Sequence, residues 1–172
     1  AVLAVTRALA PKAASFRRGL RVMFFSVEEW ALTGSAQYVG SLGEAERKKI
    51  ALNVNLDSVA GSPHLAALSS GYAGVEPFLL AVAEANGQSL RTVRPLMTNS
   101  DHANFALGGI PAIRLVAGFD DPASHLRVVL TPADTRDKVA QSELRQATLL
   151  TAALVAAACN ADPAEAARWR IR

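Results

Sequence analysis

The sequence has a single cysteine, Cys159, among its 172 residues. That excludes an internal disulfide and a zinc cluster built on cysteines. Cys159 stands in an alanine-rich run and reads as a small buried residue. Aromatic residues are sparse at 6%, the net charge is only +3, and the arginines are scattered rather than blocked together. A nucleic-acid surface needs clustered basic charge, so that class is set aside. Long apolar runs are missing as well. The longest, 147–159, is too short to span a membrane and contains Thr148 and Thr151. The opening AVLAVTRALAPKA has Ala8-Leu9-Ala10 in the manner of a cleavage box. Arg7 breaks its apolar part and no charged leader precedes it, so it reads as a helix begun in mid-domain.

What is present is a globular composition, 51% hydrophobic and 19% charged. The length allows one domain with a substantial core. We expect that domain over 1–162, with 163–172 as a frayed tail. Residues 1–10 form a helix ending before Pro11. The apolar run 20–27 reads as a strand covered on both faces. Residues 32–42 read as a short helix, and 45–49 as a charged turn or helix. In IALNVNLD, 50–57, Ile50, Leu52, Val54 and Leu56 alternate with Ala51, Asn53, Asn55 and Asp57, the pattern of a strand with one apolar face. A strand over 64–69 and a helix through Val75, Phe78, Leu79 and Val82, stopped by Asn86-Gly87, follow. Strands at 89–96 and 112–116 and a long helix over 141–159 complete the reading. Strands alternating with helices predict an α/β three-layer sandwich with a mixed, mostly parallel sheet.

Polar residues interrupt this pattern at four places: Glu28-Glu29, Asp57, Ser100-Asp101-His102, and His125 with the nearby TPADT stretch of 131–135. Glu28-Glu29 and Asp57 sit at C-terminal strand ends, where sites form in such sheets. Carboxylates and imidazoles that converge there suit hydrolytic zinc chemistry, in which the ion activates water and a neighbouring carboxylate moves the proton. No HExxH helix is present, so a zincin arrangement is excluded. Ser100, His102 and Asp57 could be read as a hydrolase triad, but no GxSxG elbow supports that.

FFSVEEWALTGSAQYV, ALNVNLDSVAG, TNSDHANFALGGIPAIRL and LTPADTRDKV, in that order and spacing, resemble the co-catalytic zinc exopeptidase family. That family includes bacterial leucyl aminopeptidases, glutamate carboxypeptidases and glutaminyl cyclases. The resemblance covers about 20–139. It implies a zinc-dependent exopeptidase, most simply an aminopeptidase acting on a peptide or amino-acyl substrate, with two zinc ions. Glu28 would be the general acid/base, Glu29 a ligand of one zinc and Asp57 of the other. Asp101 and His102 would support the site. Two departures stand out. The family's HxD ligand motif and its metal-bridging Asp upstream of the first helix are absent. The chain is therefore expected to be the C-terminal portion of the domain, binding zinc weakly by itself and leaving a sheet edge open. The ligand His expected directly before Thr131-Pro132 is replaced by Leu130, which makes His125 the substitute ligand. The resemblance leaves open a glutaminyl-cyclase-like acyl transfer, or a homologue without catalysis that serves in binding. The sequence leaves the compartment open, family analogy alone favouring a secreted or periplasmic protein, and neither a membrane nor a nucleic-acid partner is implied.

Overall fold

The strand β4, Ala112–Ala117, is the centre of the molecule, and all six of its residues are buried. It reads AIRLVA, apolar but for Arg114. Strand β1, Asn53–Leu56, pairs with it in parallel on one side, in the register Asn55↔Arg114. Strand β2, Leu65–Leu68, pairs antiparallel on the other side, with Leu68↔Arg114. Strand β3, Arg91–Val93, lies parallel to β2, giving the order β1-β4-β2-β3. The computed structural model describes residues 1–172. Its mixed sheet flanked by helices is the predicted α/β architecture. Ile113, Leu115 and Val116 are almost wholly removed from water, each worth about 1.5–3 kcal/mol.

The helices are α1, Val2–Leu9; α2, Thr33–Ser41; α3, Glu44–Lys49; α4, Glu76–Ala85; α5, His102–Leu107; α6, Gln141–Asn160; and α7, Pro163–Arg168. Helix α6 buries Ala147, Leu150, Thr151 and Leu154, a stripe at helical spacing that turns to the core. Helix α1 adds Val5 and Leu9. Helix α4 ends as expected, at Gly87 in the left-handed region with φ 65°. No helix is long and apolar enough to cross a membrane.

Two expectations are overturned. Residues 20–27 are not a strand: none of the four strands includes them, and 19–26 make no backbone–backbone hydrogen bond. A groove of about 860 Å³ separates this segment from β1, with Leu20, Met23 and Phe25 on one wall and Leu52, Val54 and Leu56 on the other. Without a strand beside it the segment forms no ladder, however apolar it is. Met23 and Phe25 still pack on the core, whereas Phe24 is 66% exposed. The second correction concerns 163–172, which is no frayed tail. Asp162 caps α7 by accepting from the Glu165 amide at 2.8 Å. Trp169, 1% exposed, stacks at a tilt on Phe78 with ring centroids 4.6 Å apart. Arg170 donates to the carbonyls of Gly109, Lys48 and Ile50. Arg172 lies over the Tyr72 ring at 4.7 Å. Strands β1 and β3 are shorter than the runs that announced them.

Candidate active site

The turn that carries Glu28 and Glu29 is built from residues that resist it. Val27, Ala31 and Leu32 all take positive φ, at 60°, 60° and 54°. Each costs on the order of 1–3 kcal/mol in a side chain that is not glycine. The turn is closed by Leu32 N–H donating to the Glu28 carbonyl at 2.9 Å and Thr33 N–H to that of Val27 at 3.2 Å. Gly34 permits the closure, because a Cβ there would stand 2.5 Å from the Ser26 carbonyl oxygen. The Asn104 side chain reaches from α5 to donate to the Leu32 carbonyl at 3.2 Å and to Ser35 Oγ at 2.8 Å. The strained turn is therefore held by the same helix that begins beside Asp101.

Asp57 follows β1 directly. Ser58 after it also has positive φ, 54°, and its carbonyl accepts from the Ala117 amide at 2.9 Å. Asn55 donates to Ser100 Oγ at 2.8 Å, which ties the end of β1 to the 100–102 turn. Three elements thus bring Glu28, Asp57 and Asp101 into one electrostatic neighbourhood. Glu28 shows it: burial, and then the charges of Asp57, Glu29 and Asp101, raise its pKa above the ordinary glutamate value, while Arg114 pulls it down. A carboxyl in this position holds a proton more readily than a surface glutamate.

Arg114 is the residue that the sequence reading overlooked. Its guanidinium lies 3.3 Å from Asp57 Oδ2 and donates to Asn99 Oδ1 at 3.0 Å. The visible signal was a charge inside the otherwise apolar AIRLVA. Its meaning depends on the register, which sets Arg114 beside Asn55 on the face that ends in Asp57. Asn99, Asn104 and Ser35 were missed for the same reason, since their roles come from contacts between distant elements.

His102 is fully buried, and neither ring nitrogen has a hydrogen-bond partner. Ser100 Oγ is engaged with Asn55 rather than with His102, so no Ser-His-Asp relay forms. Burial, reinforced by the Arg114 charge, lowers the His102 pKa to about 4. The unfolded chain, with an ordinary histidine, binds the proton first as pH falls. This contribution to stability is complete above about pH 6.5 and is lost progressively as pH falls toward 4. We expect acid unfolding to be steep in that window and to flatten in His102→Gln, as followed by urea melts at several pH values.

His125 is not brought into this group. It is exposed, its Nδ1 lies 3.0 Å from the Lys138 carbonyl oxygen, and its backbone amide donates to Gly61 at 2.9 Å. The Cβ atoms of a substituted Gly61 and of His125 would be 3.0 Å apart, so the histidine is packed on the turn after Asp57. Leu130, in the place where the resemblance expects a ligand histidine, is 78% exposed with φ 63°. No three His, Cys, Asp or Glu side chains form a group that could hold a metal ion. The carboxylates of Glu29 and Asp57 fit zinc by donor type and by the excess of negative charge around Glu28. His125 forms no group of three with them.

The model of Peptidase family M28 matches residues 1–155. The chain belongs to that family. This M28 chain is 33% identical over 117 residues to "Probable leucine aminopeptidase 2" of Aspergillus fumigatus, covering 60% of this chain and 23% of the relative. Its structure superposes on a zinc aminopeptidase from Bacillus subtilis with a TM-score of 0.70 at 28% identity, over 79% of this chain and 35% of that one. An aminopeptidase from Aneurinibacillus sp. strain AM-1 gives 0.73 at 27% identity, over 93% and 39%. The M28 chain thus spans between about a quarter and two-fifths of the length of these relatives.

Proposed function

We propose that the protein is a zinc-dependent exopeptidase of the aminopeptidase type and that Glu28 moves the proton in hydrolysis. The observation that carries this is the raised pKa of Glu28 within a group of carboxylates, in a chain of the M28 family. A carboxyl whose pKa is raised is a stronger base than an ordinary glutamate toward a proton from water, which it can then return to a leaving amine. Glu29 and Asp57 would hold the metal. When bound, zinc supplies a water of lowered pKa and polarises the scissile carbonyl. Asn104 and Gly34 keep the Glu28 turn closed, so the base is set by the fold rather than by a mobile loop.

Leucine amide, its N-acetyl derivative and a peptide with N-terminal glutamine, each incubated with the full-length protein, test this. The expected result is release of the free N-terminal residue, blocked by acetylation and by a chelator. Conversion of the glutamine peptide to its cyclised form without hydrolysis would replace peptidase action with acyl transfer. Leu130 favours a second reading, a homologue that binds without catalysing, because an exposed leucine offers no donor where the resemblance expects one. No turnover of any of the three substrates, with or without added zinc, is the outcome that reading requires.

A further inference from the structure

Arg114 is an expensive residue for its position. It lies in the middle of the central strand, with paired neighbours on both sides, and is 6% exposed. Every other residue of β4 is apolar. A guanidinium removed from water is costly unless it is paired and hydrogen-bonded, and an apolar side chain of similar volume would be easier to bury. Its pairing is incomplete: Nη2 faces Asp57 Oδ2 at 3.3 Å, Nη1 donates to Asn99, and Nε has no partner. Packing therefore does not account for it, and the charge on Asp57 does. Both oxygens of that carboxylate are engaged, because Ser58 Oγ donates to Oδ1 at 3.2 Å.

We propose that Arg114 is a built-in counter-ion for Asp57, which neutralises this carboxylate from the core side and lowers its affinity for a metal cation. The inference rests on the reading of Asp57 as a metal ligand. A cation bound at Asp57 must share Oδ2 with a fixed guanidinium or displace the Ser58 hydroxyl from Oδ1, and in either case it meets a buried positive charge. Arg114 is buried while Asp57 is about a third exposed, so the repulsion is screened less than between two surface charges, though not removed from water altogether. A purely orienting role would act in the opposite direction, since removal of a residue that holds a ligand in place weakens metal binding.

The test is a zinc titration of the full-length protein against a chromophoric chelator, with Zn²⁺ alone as the probe. Arg114→Met is expected to bind zinc at least about tenfold more tightly than the wild type, from the loss of one nearby positive charge. Arg114→Lys, which keeps the charge, should stay near the wild-type affinity. Asp57→Asn in the Arg114→Met background should abolish the gain. In the absence of metal, Arg114→Met should melt at a lower temperature than the wild type and recover on addition of zinc, because Asp57 is then left without its counter-ion. Should Arg114→Met fail to fold, Arg114→Gln, which can still donate to Asn99, carries the same comparison. Unchanged or weaker zinc affinity in the neutral variants would overturn the proposal. Failure of the underlying site reading is seen separately, as zinc affinity that is indifferent to Asp57→Asn in the wild-type background.

Discussion

Replacement of Glu28 by Gln is expected to lower kcat in the full-length protein by about 10²–10⁴-fold, the usual worth of a positioned proton carrier. Zinc content and melting temperature should not fall. The amide keeps the size of the carboxyl and fits the same turn, but it cannot take a proton from water or return one to a leaving group. It also removes a charge that stands among Asp57, Glu29 and Asp101, so the folded state loses repulsion rather than an ion pair. Activity and stability thus separate in this one variant. A kcat within about tenfold of the wild type would mean that another group moves the proton.

The largest expected effect on stability lies far from the acids. Trp169→Ala should cost about 3–5 kcal/mol in chemical denaturation, the range for deletion of a buried aromatic side chain. The indole is 1% exposed and stacks on Phe78 of α4. Its removal would also loosen Arg170, whose contacts with Gly109, Lys48 and Ile50 join the turn before β4 to the approach to β1. Trp169→Phe should recover part of the loss, because a smaller ring still fills the contact. An unchanged denaturation midpoint in Trp169→Ala would return 163–172 to the status of a loose tail.

These two residues show how unevenly the molecule could be read from its amino acids. Glu28, Glu29 and Asp57 stood out as candidates because acids at the ends of apolar runs are conspicuous, and their order with the later motifs resembled one family. The sheet was legible from the alternation at 50–57 and the apolar run at 112–116. Residues 20–27 were misread because apolar character indicates burial, whereas a strand also requires a neighbour within hydrogen-bonding distance. Trp169 was missed because a short, charged terminal stretch reads as solvated, and distant residues such as Phe78, in a different helix, make it core. Arg114 was visible as a letter but not as a partner, since its place beside Asp57 follows from a register that no local pattern encodes. His125 was chosen for its closeness in sequence to Leu130, and the loop carries it instead to the Lys138 carbonyl. In each misreading the residue type was informative, and the error lay in assuming which distant element it would meet.

We propose Glu29 and Asp57 as the metal-holding carboxylates beside Glu28, with His125 outside the group. Zinc affinity of the full-length protein, measured in parallel for wild type, Glu29→Gln, Asp57→Asn and His125→Asn, tests this most directly. Each carboxylate variant is expected to lose at least about tenfold in affinity, while His125→Asn binds as the wild type does. Weakened binding in His125→Asn, together with unchanged binding in the two carboxylate variants, would contradict it.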